Sequence, residues 1–194
     1  MRLCGHCSEP LSPLKRADAR WCGGRCAVAA HRLRASLPLL PPALTDEPRW
    51  VRFERTKRPL QPNGRAASST NPATWTDYET ASGSTVGAGV GFVLNGDGLV
   101  CLDFDHCYSG ADLAPWAASI LDRVPPTYVE RSPSGDGLHV WGFASLDFAG
   151  RRVAVPGGEV EVYGSARYMT VTGDALTTTR ELGDLSAVIA SLIR

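Results

Sequence analysis

Residues 89–105 read GVGFVLNGDGLVCLDFD. Two apolar runs flank Asn95-Gly96-Asp97-Gly98, and Asn-Gly or Asp-Gly between such runs is a strong hairpin signal, so two strands joined by a hairpin are expected. Along a strand, successive side chains alternate between faces. Val100, Leu102 and Phe104 then point into a core, while Cys101, Asp103 and Asp105 share the opposite face. Two neighbouring carboxylates repel, and one of them would take up a proton. A magnesium or manganese ion removes that conflict, because such ions favour carboxylate oxygens together with substrate phosphates. The plain alternative is an edge strand with two solvated aspartates, so other residues must decide.

Further along, EVEVYGSARYMTVTG (159–173) places Glu159 and Glu161 on one strand face, opposite Val160 and Val162. RSPSGDGLHVWGF (131–143) supplies Ser132, Ser134, Gly135, Gly137 and His139. A serine and glycine turn that feeds a strand offers backbone amides to phosphate oxygens, and an adjacent histidine adds a donor.

Around these pieces, WVRF (50–53) reads as a strand and 57–75 as a long polar loop. TDYETA (76–81) reads as the start of a helix with Thr76 as its cap and Glu79 three residues on. Leu113, Trp116, Ala117, Ile120 and Leu121 have helical spacing within 111–123, a segment stopped by Pro125-Pro126, and 185–193 is a second amphipathic helix. TYVER, LHVWGFA, EVEVY and RYMTVTG read as strands. Strands joined by hairpins with a few helices between them indicate an α+β domain with a mainly antiparallel sheet.

The chain has 194 residues, and its 20 lysines and arginines balance its 20 aspartates and glutamates. The distribution is uneven. Arg2, Lys15, Arg16, Arg20, Arg25, Arg32 and Arg34 face only Glu9 and Asp18 in residues 1–35, a basic head of the kind that meets a polyanion. There is no apolar run of about 18 residues and no apolar amino-terminal core, so neither a membrane span nor a signal peptide is expected and the expected location is cytoplasmic. In that reducing compartment, Cys4-x2-Cys7 and Cys22-x3-Cys26 read as two knuckles holding one tetrahedral zinc. His6 and His31 are alternative ligands that a filled four-cysteine site leaves over. The stretch 36–48 carries four prolines and reads as a stiff linker. The organisation expected is a zinc module (1–35), a linker (36–48) and a catalytic domain (49–194).

In this order, the acidic strand, the serine and glycine turn ending in histidine, and the late acidic strand resemble the bifunctional DNA primase/polymerase (prim-pol) domain of the archaeo-eukaryotic primase superfamily, from about Arg49 to about Gly173. The resemblance implies a modified RNA-recognition-motif (RRM-like) palm beside a smaller α/β lobe, and template-directed nucleotidyl transfer. It implies that Asp103, Asp105 and Glu161, with Glu159 as the alternative third acid, hold two magnesium or manganese ions. Ser132, Ser134, Gly135, His139 and Arg167 are then the nucleotide-binding set. The implied partners are a single-stranded DNA template and primer, nucleoside triphosphates and a separate replicative helicase, with phage, plasmid or mobile-element replication as the setting. Two other readings use the same residues: a metal-dependent nuclease, and a non-catalytic adaptor that binds single-stranded nucleic acid. Trp21 and Trp141 are the tryptophans placed to stack on a base, although all five read first as packing residues.

Overall fold

The computed structural model describes residues 2–7, 9–16, 18–29, 40–109 and 112–193. His31, Arg32, Arg34 and the first part of the proline-rich stretch lie outside the described residues. From Leu40 onward that stretch is folded against the domain. Leu40 and Leu44 are buried, helix α1 (Pro42–Thr45) begins on a proline suited to a first helical turn, and the Trp50 indole donates to the Leu44 carbonyl at 3.0 Å.

Two sheets form the body. One has the order β11-β3-β1-β2, with β1 (Trp50–Phe53), β2 (Pro59–Leu60), β3 (Gly89–Asn95) and β11 (Ser165–Val171). The other runs β12-β8-β4-β10-β9, with β4 (Leu99–Phe104), β8 (Leu138–Phe143), β9 (Gly150–Val155), β10 (Gly158–Tyr163) and β12 (Gly183–Asp184), and β7 (Val129–Arg131) also pairs with β8. Every pairing named is antiparallel except β12 with β8. A small ribbon, β5 (Tyr108–Ser109) with β6 (Asp112–Leu113), follows β4.

The hairpin expected at residues 95–98 does not form. β3 pairs with β1 and β11, whereas β4 pairs with β8 and β10, so the glycine-rich turn is a corner at which the chain leaves one sheet for the other. The return path turns beside it, where β10 passes through Gly164 into β11 and the Gly96 amide donates to the Gly164 carbonyl at 3.0 Å. Gly96 and Gly98 hold φ of 88° and 101°, which favours glycine there as it would in a hairpin. Burial on successive residues distinguishes the cases. Phe92, Val93 and Leu94, and then Leu99 to Leu102, are all buried, so each run needs cover on both faces. Buried Arg49 holds the corner, with its guanidinium donating to Asn95 Oδ1 and, at 2.7 Å, to Asp97 Oδ2.

Alternation on β4 places its residues between two cores. Val100, Leu102 and Phe104 join Ile120 of α3 (Pro115–Leu121) and Val188, Ile189 and Leu192 of α4 (Ser186–Leu192). Cys101 lies between the sheets with Trp50, Phe92, Tyr128 and Trp141. Phe92 and Trp141 meet edge to face, their rings 6.0 Å apart. Trp141 is thus a packing residue. Helix α2 (Tyr78–Gly83) is capped by Asp77, whose carboxylate accepts from the Thr80 amide at 2.8 Å, while Thr76 pairs with Trp50 as an isolated bridge. Strand β9 was not expected from the sequence.

Candidate active site

Strand register builds the site. Across the sheet, Glu130 of β7 faces His139 of β8, His139 faces Asp103 of β4, Asp103 faces Glu161 of β10, and Glu161 faces Arg152 of β9. Paired residues project to the same face, so five charged or polar side chains form one row across five strands. Exposure rises unevenly toward the β9 edge, with the Glu161 side chain only 8% exposed. Glu130 is fully buried and His139 nearly so, the Asp103 side chain is 14% exposed, and Arg152 is 66% exposed.

Asp105, one position past the end of β4, completes a cluster with Asp103 and Glu161 in which ligand oxygens lie within 4.8 Å of one another. Burial is the largest influence on the Asp103 carboxyl and raises its pKa. His139 opposes this, Asp105 and Glu161 reinforce it, and Lys57 opposes it. Asp103 Oδ1 is buried with no hydrogen-bond partner among the described residues, since His139 Nε2 stands 3.6 Å away. An orphaned carboxylate oxygen beside two more carboxylates suits a hard divalent cation, so these residues fit one. Glu161 has the reverse balance. Burial pushes its carboxyl up, but hydrogen bonds from Tyr163 and Arg152 and the charges of Arg152 and Arg167 outweigh it, leaving the pKa below the usual value. Glu159 lies outside the cluster and pairs with Arg152 at 3.2 Å.

The serine and glycine turn sits at the same end of β4. It closes through Ser132 N to Gly137 O and Gly135 N to Ser132 O, both 2.9 Å, with Gly135 at φ 84°. A Cβ on Gly137 would lie 2.6 Å from the Phe104 carbonyl oxygen, so the turn approaches β4 only through glycine. Ser132 is buried and shares a 2.9 Å hydrogen bond with Ser134, which is exposed like Gly135. His106 Nδ1 lies 2.6 Å from Asp136, tying the turn to the end of the acidic strand. Arg167 reaches in from the other sheet, its guanidinium 4.2 Å from the centre of the Tyr163 ring. A β-bulge between Ser165 and Arg167, with Ala166 at φ 55°, sets its direction.

Residues 27–183 match the family model described as "Bifunctional DNA primase/polymerase, N-terminal". The chain belongs to the Prim-Pol family. It is also 38% identical over 159 residues to the DNA primase-polymerase of Nitratiruptor phage NrS-1. The match covers 76% of this chain and 22% of that protein, so the chain spans less than a quarter of that curated relative's length.

Outside the acidic site, this Prim-Pol chain carries a second ligand cluster. Cys4, Cys7, Cys22 and Cys26 bring their sulfurs within 4.8 Å of one another. Burial raises the Cys4 pKa, but amide hydrogen bonds from Cys7, His6 and Cys22 outweigh it and bring it to about 6, while the Cys26 thiol is pushed up to about 12, chiefly by Cys22. Four soft sulfur donors on two knuckles fit a tetrahedral metal. Residues 24–29 are helical and carry Arg25, and the exposed Arg20 pairs with Glu79 of α2 at 3.2 Å.

Sequence reasoning missed Glu130, Arg152 and Lys57. Glu130 Oε2 accepts from the Gly173 amide (2.8 Å), the Thr172 amide and hydroxyl (both 3.2 Å) and the Tyr128 hydroxyl (3.1 Å). Its Oε1 faces His139 Nδ1 at 3.3 Å and the Trp141 indole at 3.4 Å. This one buried carboxylate therefore backs the histidine and joins β7 to the end of β11. The available signal was the alternation in TYVER, which puts Glu130 on the face of Tyr128 and away from Val129. Lys57, at φ 62° in the turn after β1, has its carbonyl held by the Tyr168 hydroxyl at 2.6 Å.

Among the described residues no helix is long and apolar enough to cross a membrane.

Proposed function

We propose that this chain catalyses template-directed nucleotidyl transfer, making or extending primers on single-stranded DNA in phage, plasmid or mobile-element replication. The observation that carries this reading is the convergence of Asp103, Asp105 and Glu161 with His139 and the Ser132–Gly137 turn at one end of β4, in a Prim-Pol chain. The name of the similar phage protein, DNA primase-polymerase, points the same way. We read the larger sheet as the modified RRM-like palm and residues 49–194 as the catalytic domain, with 1–35 as a zinc module and 36–48 as the connection.

In this reading Asp103, Asp105 and Glu161 would hold two magnesium or manganese ions, whose charge would lower the pKa of the primer 3′-hydroxyl and offset that of the leaving pyrophosphate. The hydroxyl attacks the α-phosphorus of the incoming nucleotide, the bond to the β-phosphate oxygen breaks, and pyrophosphate departs. His139, the serine turn and Arg167 bind the triphosphate, so the protein contributes positioning and charge stabilisation. The basic head, whose four thiolates would hold zinc, contacts the template strand.

The test is synthesis on single-stranded DNA, primed and unprimed, with ribo- and deoxyribonucleotides. Divalent-dependent lengthening lost in Asp103→Ala and Asp105→Ala, both still folded, supports the proposal. Products that only shorten would favour a nuclease, and tight DNA binding without nucleotide or divalent-ion binding would favour an adaptor.

A further inference from the structure

Glu161 is the most heavily engaged member of the acidic cluster. Arg152 donates to Oε1 through Nη2, and the Tyr163 hydroxyl donates to Oε2 at 2.5 Å. The same guanidinium reaches Glu159 through Nε at 3.2 Å. Glu159 and Glu161 stand two apart on β10 and so share a face, and Arg152 is the register partner of Glu161. One exposed guanidinium thus spans two carboxylates, of which only Glu161 belongs to the candidate divalent-ion cluster.

A guanidinium and a divalent ion on one carboxylate repel each other, and at a half-buried site that repulsion is only partly screened. Arg152 has a long side chain, a solvent-facing position and a second carboxylate already within reach. Glu161, at 6% exposure and held by Tyr163, cannot move away as readily. We propose that Arg152 and Glu159 form a latch on the third carboxylate: Arg152 occupies Glu161 in the cation-free protein and withdraws to Glu159 when a divalent ion binds. The pair then sets the cation concentration at which the site fills. This rests on reading Asp103, Asp105 and Glu161 as the divalent-ion site. It gives Glu159 a distinct task, as the resting place of the displaced arginine.

The experiment is manganese binding to the full chain, zinc-loaded and stripped of other divalent ions, read by loss of the free-ion paramagnetic resonance signal. Asp103→Ala identifies which binding belongs to the site. Arg152→Gln is expected to tighten manganese about fivefold, the size of one screened charge contact, and Glu159→Gln to weaken it by a similar factor. In the Arg152→Gln background, Glu159→Gln is expected to change affinity less than about twofold, because the glutamate acts through the arginine. Additive effects in the double variant would mean that each charge acts only through its field, and would overturn the latch. Weaker binding in Arg152→Gln would overturn it too, as the mark of an arginine that merely holds Glu161 in place. Unchanged affinities beside normal binding by the parent remove the latch alone. A parent with no manganese binding sensitive to Asp103→Ala removes the divalent-ion site and the latch together.

Discussion

The four cysteines all fall before residue 27 and meet through two local knuckles, whereas Asp103 and Glu161 meet only because β10 pairs with β4. In the head, the sulfurs crowd together on a segment whose buried apolar side chains, among the described residues 2–29, are Cys4 and Leu11. In the body, the carboxylates crowd together on a sheet with a core on each face. The difference concerns what resists the repulsion. On the reading proposed above, an ion would hold the first cluster together, whereas packing already holds the second and an ion would only relieve it.

The largest effect expected is on chemistry. Asp103→Ala should lower nucleotide incorporation on the order of a thousandfold, from the loss of a proposed divalent-ion ligand, while the thermal unfolding midpoint stays the same or rises. A clear fall in that midpoint would break the contrast, since the acidic cluster would then be supporting the sheet. Next is Glu130→Ala, which leaves several donors buried without an acceptor and should destabilise the body by about 3 kcal/mol or more in chemical denaturation. On the proposed zinc reading, a chelator should make residues 2–29 sensitive to limited proteolysis while costing the body less than about 1 kcal/mol. If the whole chain melted instead, the Arg20–Glu79 contact would mark one cooperative unit rather than two.

The smallest effect serves as a control remote from both clusters. The Asp184 carboxyl is held below its usual value by the Ser186 hydroxyl and then by the Ser186 amide, which donates to it at 2.9 Å at the start of α4. A folded-state pKa below the unfolded one gives stability that is present above the unfolded value and lost as pH falls through the folded one. Asp184→Asn should therefore lower stability slightly at neutral pH, with the difference from the parent vanishing as pH falls below about 4, so that its acid decline is flatter.

Alternation made the two faces of β4 legible, because a period of two needs no knowledge of the partner strands. The corner at 95–98 was misread because positive-φ glycines serve a hairpin and a change of sheet equally, and only the partners of β3 and β4 separate the two. Strand β9 carries too weak an apolar signal, since its arginines and Ala154 are exposed and only Val153 and Val155 are half buried. The row from Glu130 to Arg152 depends on register among five strands, which no local pattern states. Spacing within a short stretch did bring the cysteine pairs into view. The helix cap moved from Thr76 to Asp77 because Thr76 pairs with Trp50 instead.

The corner also bears on how the protein is made. β3 and β4 leave the ribosome well before β10 and β11, which must later lie along both of them and turn at Gly164 beside Gly96. A nascent chain that ends before residue 158 carries Asp103 and Asp105 on a strand with one long neighbour missing, and has no third carboxylate. The acidic cluster thus assembles late in synthesis, and a truncated product would lack both the β10 and β11 pairings and the third carboxylate.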